Sequence, residues 1–155
     1  MSNKRLDLDR QRAEFAFKKA QDYKSDKFTS NVRKFPMLIK NNGLCAAVAF
    51  AYSKGINVKD PEKSKDKKAW KDLYNTISEW LKEEPQKFLN SFFNNASEDT
   101  LMKLIAGSKD DKNEKTFNFE QYRFATVETL ALFSWLRRFV GEEEENSKNE
   151  DKSDE

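Results

Sequence analysis

Nine consecutive residues, Leu44 to Tyr52, carry no charge on any helical face, in a chain where 36% of all residues are Asp, Glu, Lys or Arg. A helix that is apolar all round has to be wrapped by other elements. Leu44 to Lys54 is therefore expected to be a central helix on which the rest of the chain is assembled. Asn41-Asn42-Gly43 before it reads as a turn. After it, Lys54 suits the negative helix end, Gly55 is placed for a left-handed C′ position, and Ile56 supplies the hydrophobic contact that follows. Cys45 is expected to be a small buried hydrophobe. As the single cysteine it can form no internal disulfide, which points to a reducing, cytoplasmic compartment.

The wrapping elements also read as helices. Arg5 to Tyr23 places Leu6, Ala13, Phe17 and Ala20 inward and spaces Arg5, Arg12 and Lys19 by sevens along a cationic flank. Lys27 to Lys40 brings Phe28, Val32, Phe35 and Ile39 to one face, with Pro36 expected to kink it or end its first half. Lys67 to Lys82 carries the arc Trp70, Leu73, Tyr74, Ile77, Trp80 and Leu81, with Lys67, Lys71 and Lys82 opposite. Shorter helices are expected at Gln86 to Asn94 and at Glu98 to Ala106, the latter capped by Ser97. With only 4 Gly and 3 Pro, and no sustained β-type alternation, the fold class is all-α. The expectation is a compact single-domain bundle of about six to seven helices over residues 1–140. A chain of 155 residues should bury roughly 70% of its extended surface. Its 13 Phe, 3 Trp and 4 Tyr make that core one of few, large pieces.

The last helix, Glu120 to Phe139, turns Tyr122, Ala125, Thr129, Leu132, Phe133, Leu136, Phe139 and Val140 to one face and Arg123, Ser134, Arg137 and Arg138 to the other. Between them lie Phe124, Ala131 and Trp135, a second apolar strip wider than one packing partner needs. Phe124 and Trp135 are accordingly the candidate subunit-interface residues. Glu128, an acid among large apolar neighbours, is expected to pair with a Lys or Arg from another helix or subunit.

Charge is distributed unevenly. Of 29 basic and 27 acidic residues, positions 142–155 hold 2 and 8, so the preceding body carries 27 against 19, a net of +8. A cationic body favours phosphate-bearing partners. The tail from Gly141, with four consecutive glutamates and nothing apolar, is expected to be disordered, as is the loop Gly107 to Lys115. The chain has no histidine, which removes the commonest general base and the commonest metal ligand. No phosphate loop or dinucleotide fingerprint occurs. Asp110-Asp111 and Glu142 to Glu145 fall in the two stretches expected to be disordered, so neither a metal nor another cofactor is expected. With no apolar run of 18 residues and no charged-then-apolar leader pattern, neither a membrane span nor a secretory signal is expected. The sequence therefore argues against an enzyme.

Three blocks give this chain a resemblance to the small helical subunit of type III-B CRISPR RNA-targeting effector complexes, the fifth subunit of the Cmr assembly. They are Arg12-Ala13-Glu14-Phe15-Ala16, then Asn42-Gly43-Leu44 through Ala49-Phe50 to Ser53-Lys54, then Thr126 and Glu128 through Ala131 to Trp135-Leu136-Arg137-Arg138-Phe139. Trp70, Leu73 and Trp80-Leu81 fall where that family has its tryptophan-containing helix. The resemblance implies a compact non-nuclease that stacks with its own copies beside the Cmr backbone and large subunits, forming a basic lane along guide RNA and target RNA. The residues of this sequence expected to meet RNA are Lys18, Lys19, Lys40, Lys54, Arg123, Arg137 and Arg138. A helical protein-protein adaptor without specific RNA binding is the competing reading, and the type III-A small subunit a related one.

Overall fold

A computed structural model describes residues 4–60, 62–107 and 116–141. The expected loop at 108–115, with Asp110-Asp111, and the acidic stretch 142–155 lie outside the described residues. The chain forms α1 (Lys4–Asp22), α2 (Asp26–Asn42), α3 (Leu44–Gly55), α4 (Lys65–Glu83), a 3-10 turn (Asn90–Phe93), α5 (Thr100–Ala106) and α6 (Phe119–Phe139). No strand occurs among the described residues, and the class is all-α.

The arcs of α2 and α4 are those the 3.6-residue period predicts. Phe28, Val32, Phe35 and Ile39 are buried on α2, and Trp70, Leu73, Tyr74, Ile77, Trp80 and Leu81 on α4. Ser25 and Ser64 cap these helices by accepting from the Phe28 and Lys67 amides. Pro36 neither ends nor divides α2, which is helical from end to end. Asn41 and Asn42 complete its last turn, so the connection to α3 is Gly43 alone, at φ +89°. Its N–H donates to the Ile39 carbonyl at 2.8 Å while its carbonyl accepts from Ala47 at 3.2 Å, closing one helix and opening the next.

α3 packs on α2, α4 and α5, and Leu44, Ala47, Val48 and Ala51 are buried. Its enclosure is incomplete. Ala46 and Phe50 are exposed and Cys45 is only half-buried, because three neighbours cover three sides and leave the fourth open. Gly55 is not a left-handed cap. It is the last residue of α3, buried, and a Cβ there would lie 2.2 Å from the Lys71 nitrogen and 2.6 Å from the Trp70 carbonyl carbon. Close approach of the α3 end to the α4 backbone, not a turn, demands glycine.

α1 is rotated from its expected orientation. Ala16 and Ala20 are buried, but Ala13 is half-buried and Leu6 and Phe17 are exposed. Arg12 and Lys19 turn inward instead, because each finds a carboxylate on another helix: Glu128 for Arg12 and Glu79 for Lys19. The expected helix at Gln86 to Asn94 is reduced to the 3-10 turn. Fully buried Glu84 accepts from the amides of Phe88 at 2.5 Å and Leu89 at 3.0 Å, and Lys87 takes φ +55°, which breaks helical continuation. Ser97 does not cap α5 with its hydroxyl. Asp99 holds the cap position, and its carboxylate accepts from the Tyr52 hydroxyl at 2.6 Å.

Candidate nucleic-acid interface

α6 is opened by a reciprocal box, in which the Asn118 side chain accepts from the Gln121 amide and the Gln121 side chain accepts from the Asn118 amide. Near its start the Tyr122 hydroxyl accepts from the Cys45 amide at 2.8 Å. At its end the Val140 carbonyl accepts from the Thr29 hydroxyl at 3.2 Å, and the Gly141 carbonyl from Arg33. These clips fix α6 antiparallel to α2, with the rings of Phe35 and Phe133 packed at 5.0 Å between them.

Two edges then face each other across an open groove. α2 contributes Arg33, Pro36 and Lys40, at spacings of three and four; α6 contributes Leu130, Phe133, Ser134, Arg137 and Arg138. Among the described residues, every charged residue lining this groove is a cation. Among the described residues none of the four is in an ion pair with a carboxylate. The Arg138 guanidinium lies 4.8 Å from the Trp135 ring centroid, which orients its fork without neutralising it. Arg33 spends one donor on Gly141, and its Nε is buried without a partner among the described residues. Planar guanidinium forks over an apolar floor suit phosphate oxygens, which accept two parallel N–H bonds at once.

Of the residues expected to meet RNA, Lys40, Arg137 and Arg138 are thus brought together from two helices. Arg123 is exposed on the same arc of α6, seven, eleven and fourteen residues before Leu130, Ser134 and Arg137. Lys18 is exposed on α1, and Lys54, with its ammonium 5.5 Å from the Phe50 ring, lies in the last turn of α3; neither lines the groove. Lys19 is engaged inside the bundle. Its ammonium is paired with Glu79 and lies 5.5 Å and 5.4 Å from the Phe15 and Tyr23 rings. Burial acts most strongly and lowers its pKa, but the Glu79 hydrogen bond together with the charges of Tyr23, Glu79 and Asp22 outweighs it, and the value is raised. Arg33 was not among the expected residues; its spacing of seven from Lys40, which returns a side chain to one helix face, is the signal that could have found it.

Neither apolar interface candidate is sealed. Phe124 is half-buried under an edge-on Phe88 at 4.9 Å. Trp135 is half-buried and stacked with Phe139 at 6.1 Å, and Phe139 in turn meets exposed Phe17 at 5.4 Å.

The Glu128 expectation resolves within the chain. Arg12 donates from Nε at 2.7 Å and from a terminal nitrogen at 2.8 Å, and Trp80 Nε1 donates at 3.0 Å. Hydrogen bonding to Glu128 raises the Arg12 pKa further. This acid is therefore tied up structurally on the opposite flank of α6 from the groove. Among the described residues no helix is long and apolar enough to cross a membrane.

The Arg12 to Ala16 block, the α2–α3 junction and the Trp135 to Phe139 run thus occupy the α1–α6 seam, the single-glycine corner and the groove edge. A family model described as CRISPR-associated protein (Cas_Cmr5) matches residues 8–142, which include all of these. The chain belongs to the Cas_Cmr5 family, that of the small subunit of type III-B CRISPR complexes.

Proposed function

We propose that this chain is a non-catalytic small subunit of a cytoplasmic Cmr ribonucleoprotein, holding the guide RNA–target RNA duplex through phosphate contacts from the α2–α6 groove. Sequence is read by base pairing in the guide, so the subunit has to supply position and charge rather than base recognition. The observation that carries this reading is the groove lining, in which Arg33, Lys40, Arg137 and Arg138 converge with no carboxylate among the described residues. Arg123 extends the track along α6, and Lys18 and Lys54 are further cations for RNA or for adjoining subunits. Copies of the chain and the Cmr backbone and large subunits would pack against its apolar flanks, with Phe124 and Trp135 as contact residues.

The test is RNA binding by the assembled complex over a salt series, comparing the wild type with Lys40→Ala and with Arg137→Ala/Arg138→Ala. Each phosphate contact removed should lower the slope of log affinity against log salt by about 0.9 on a duplex and about 0.7 on a single strand. Circular dichroism would confirm that the exposed substitutions leave the helices intact. An unchanged slope in both variants would overturn the assignment of RNA to this groove. The adaptor reading draws on the open α3 face at Ala46 and Phe50; it predicts that Phe50→Ser weakens assembly while the salt slope of the groove variants stays at the wild-type value.

A further inference from the structure

The described chain leaves the bundle at the rim of the groove. Through Thr29 and Arg33, α2 holds the carbonyls of Val140 and Gly141, and the charge of the sequence reverses at the next residue. Positions 142–155 contain 8 acids and 2 lysines and open with Glu142, Glu143, Glu144 and Glu145. Four residues extend about 13 Å and fourteen about 46 Å at roughly 3.3 Å each, so the groove beside the exit is within reach of the first acids. A tether this short also gives a high effective concentration. The receiving surface is complementary: Arg33, Lys40, Arg137 and Arg138 line it, with no carboxylate among the described residues. The Arg33 Nε is buried and has no hydrogen-bond partner among the described residues.

We infer that the acidic segment 142–155 docks in the α2–α6 groove of its own chain as an intramolecular competitor for RNA phosphate. The docking itself stands on position and charge; its consequence for RNA rests on the function proposed above. The free subunit would carry an occupied groove and bind stray RNA weakly. In the assembly, several adjacent grooves present one backbone with many phosphates, and the joint interaction displaces each tail.

The experiment compares the full-length chain, isotopically labelled, with a full-length variant carrying Glu142→Gln, Glu143→Gln, Glu144→Gln and Glu145→Gln. Both are followed by NMR at low salt, then titrated with a short single-stranded RNA. The groove resonances of Arg33, Lys40, Arg137 and Arg138 are expected to differ between the two proteins, and the difference to collapse near 0.5 M salt, where the Debye length is only about 4 Å. RNA affinity of the variant at low salt is expected to rise about three- to tenfold. Superimposable groove resonances at low salt would overturn the inference, as would a difference that fades on dilution, which would assign the tail to a neighbouring copy. If the tail moves the groove resonances but RNA perturbs only other residues, docking stands and the RNA assignment of the groove falls. If RNA perturbs the groove equally in both proteins and the tail does not, the RNA assignment stands and docking falls.

Discussion

Glu128 has a side chain only 3% exposed, and its two oxygens receive three donors from two other helices. Removing Arg12 leaves the Glu128 carboxylate in low dielectric with only the Trp80 N–H, which typically costs about 3 to 5 kcal/mol. Arg12→Ala is expected to lower stability by roughly 3 kcal/mol in urea unfolding, and Glu128→Ala by less, because Arg12 keeps its pair with Asp9 at 3.0 Å. The double variant should cost much less than the sum of the two, because neither charge is then stranded. Additive losses would mean the pair is not coupled. Tyr74 gives a second residue-level expectation. Its phenol is fully buried, donates to the Glu98 carbonyl at 2.6 Å and accepts from the Met102 amide at 3.2 Å. Burial raises its pKa far above the usual value. A group whose folded pKa lies above its unfolded one stabilises fully below the unfolded value, near 10, and loses that contribution as pH rises through the window above it. Alkaline unfolding should therefore steepen above about pH 10, and Tyr74→Phe should reduce that slope by about 1.4 kcal/mol per pH unit. At neutral pH the same variant should lose about 1 kcal/mol with its hydrogen bonds.

At the scale of elements, the α3–α4 contact depends on one missing methyl group. A Cβ on Gly55 would overlap the backbone of Trp70 and Lys71, which cannot swing aside as a side-chain tip can. Gly55→Ala is expected to force the helices apart and cost about 2 to 3 kcal/mol. If urea unfolding returned a loss no larger than a few tenths, that close approach would be wrong. Periodicity exposed the buried arcs of α2 and α4 because each of those faces meets the core along its whole length. It could not identify the role of Gly55, since a glycine at a helix end has the same sequence signature whether it turns the chain or admits a neighbour. Nor could it orient α1. Arg12 and Lys19 look like solvent-facing cations until Glu128 and Glu79 from distant segments are placed against them, and such pairings are set by tertiary packing. The groove was legible by halves: Arg137-Arg138 and Lys40 were visible as basic helix ends, but that they share an edge with Arg33 depends on the antiparallel meeting of α2 and α6.

Across the whole molecule the elements are not equally embedded. α2, α3 and α4 pack on one another, whereas α1 rests mainly on α6. Among its ties beyond that seam are one ion pair, Lys19 with Glu79, and one ring contact, Phe15 tilted against the buried Trp80 at 5.1 Å. The free energy of local opening follows the apolar surface that release of an element exposes to water, so α1 should open without unfolding the rest, and α3 and α4 only with global unfolding. This separation suits a subunit of a larger particle, whose outer helix can adjust to neighbours while the inner three keep the groove edge on α2 in place. Native-state hydrogen exchange should show protection rising from α1 through α6 to α3 and α4. Arg12→Ala should lower protection in α1 by a larger factor than in α4, since it cuts the link from α1 to Glu128 and, through it, to Trp80. Equal loss across all helices would instead mark the bundle as one cooperative unit, with Arg12 contributing to global stability alone.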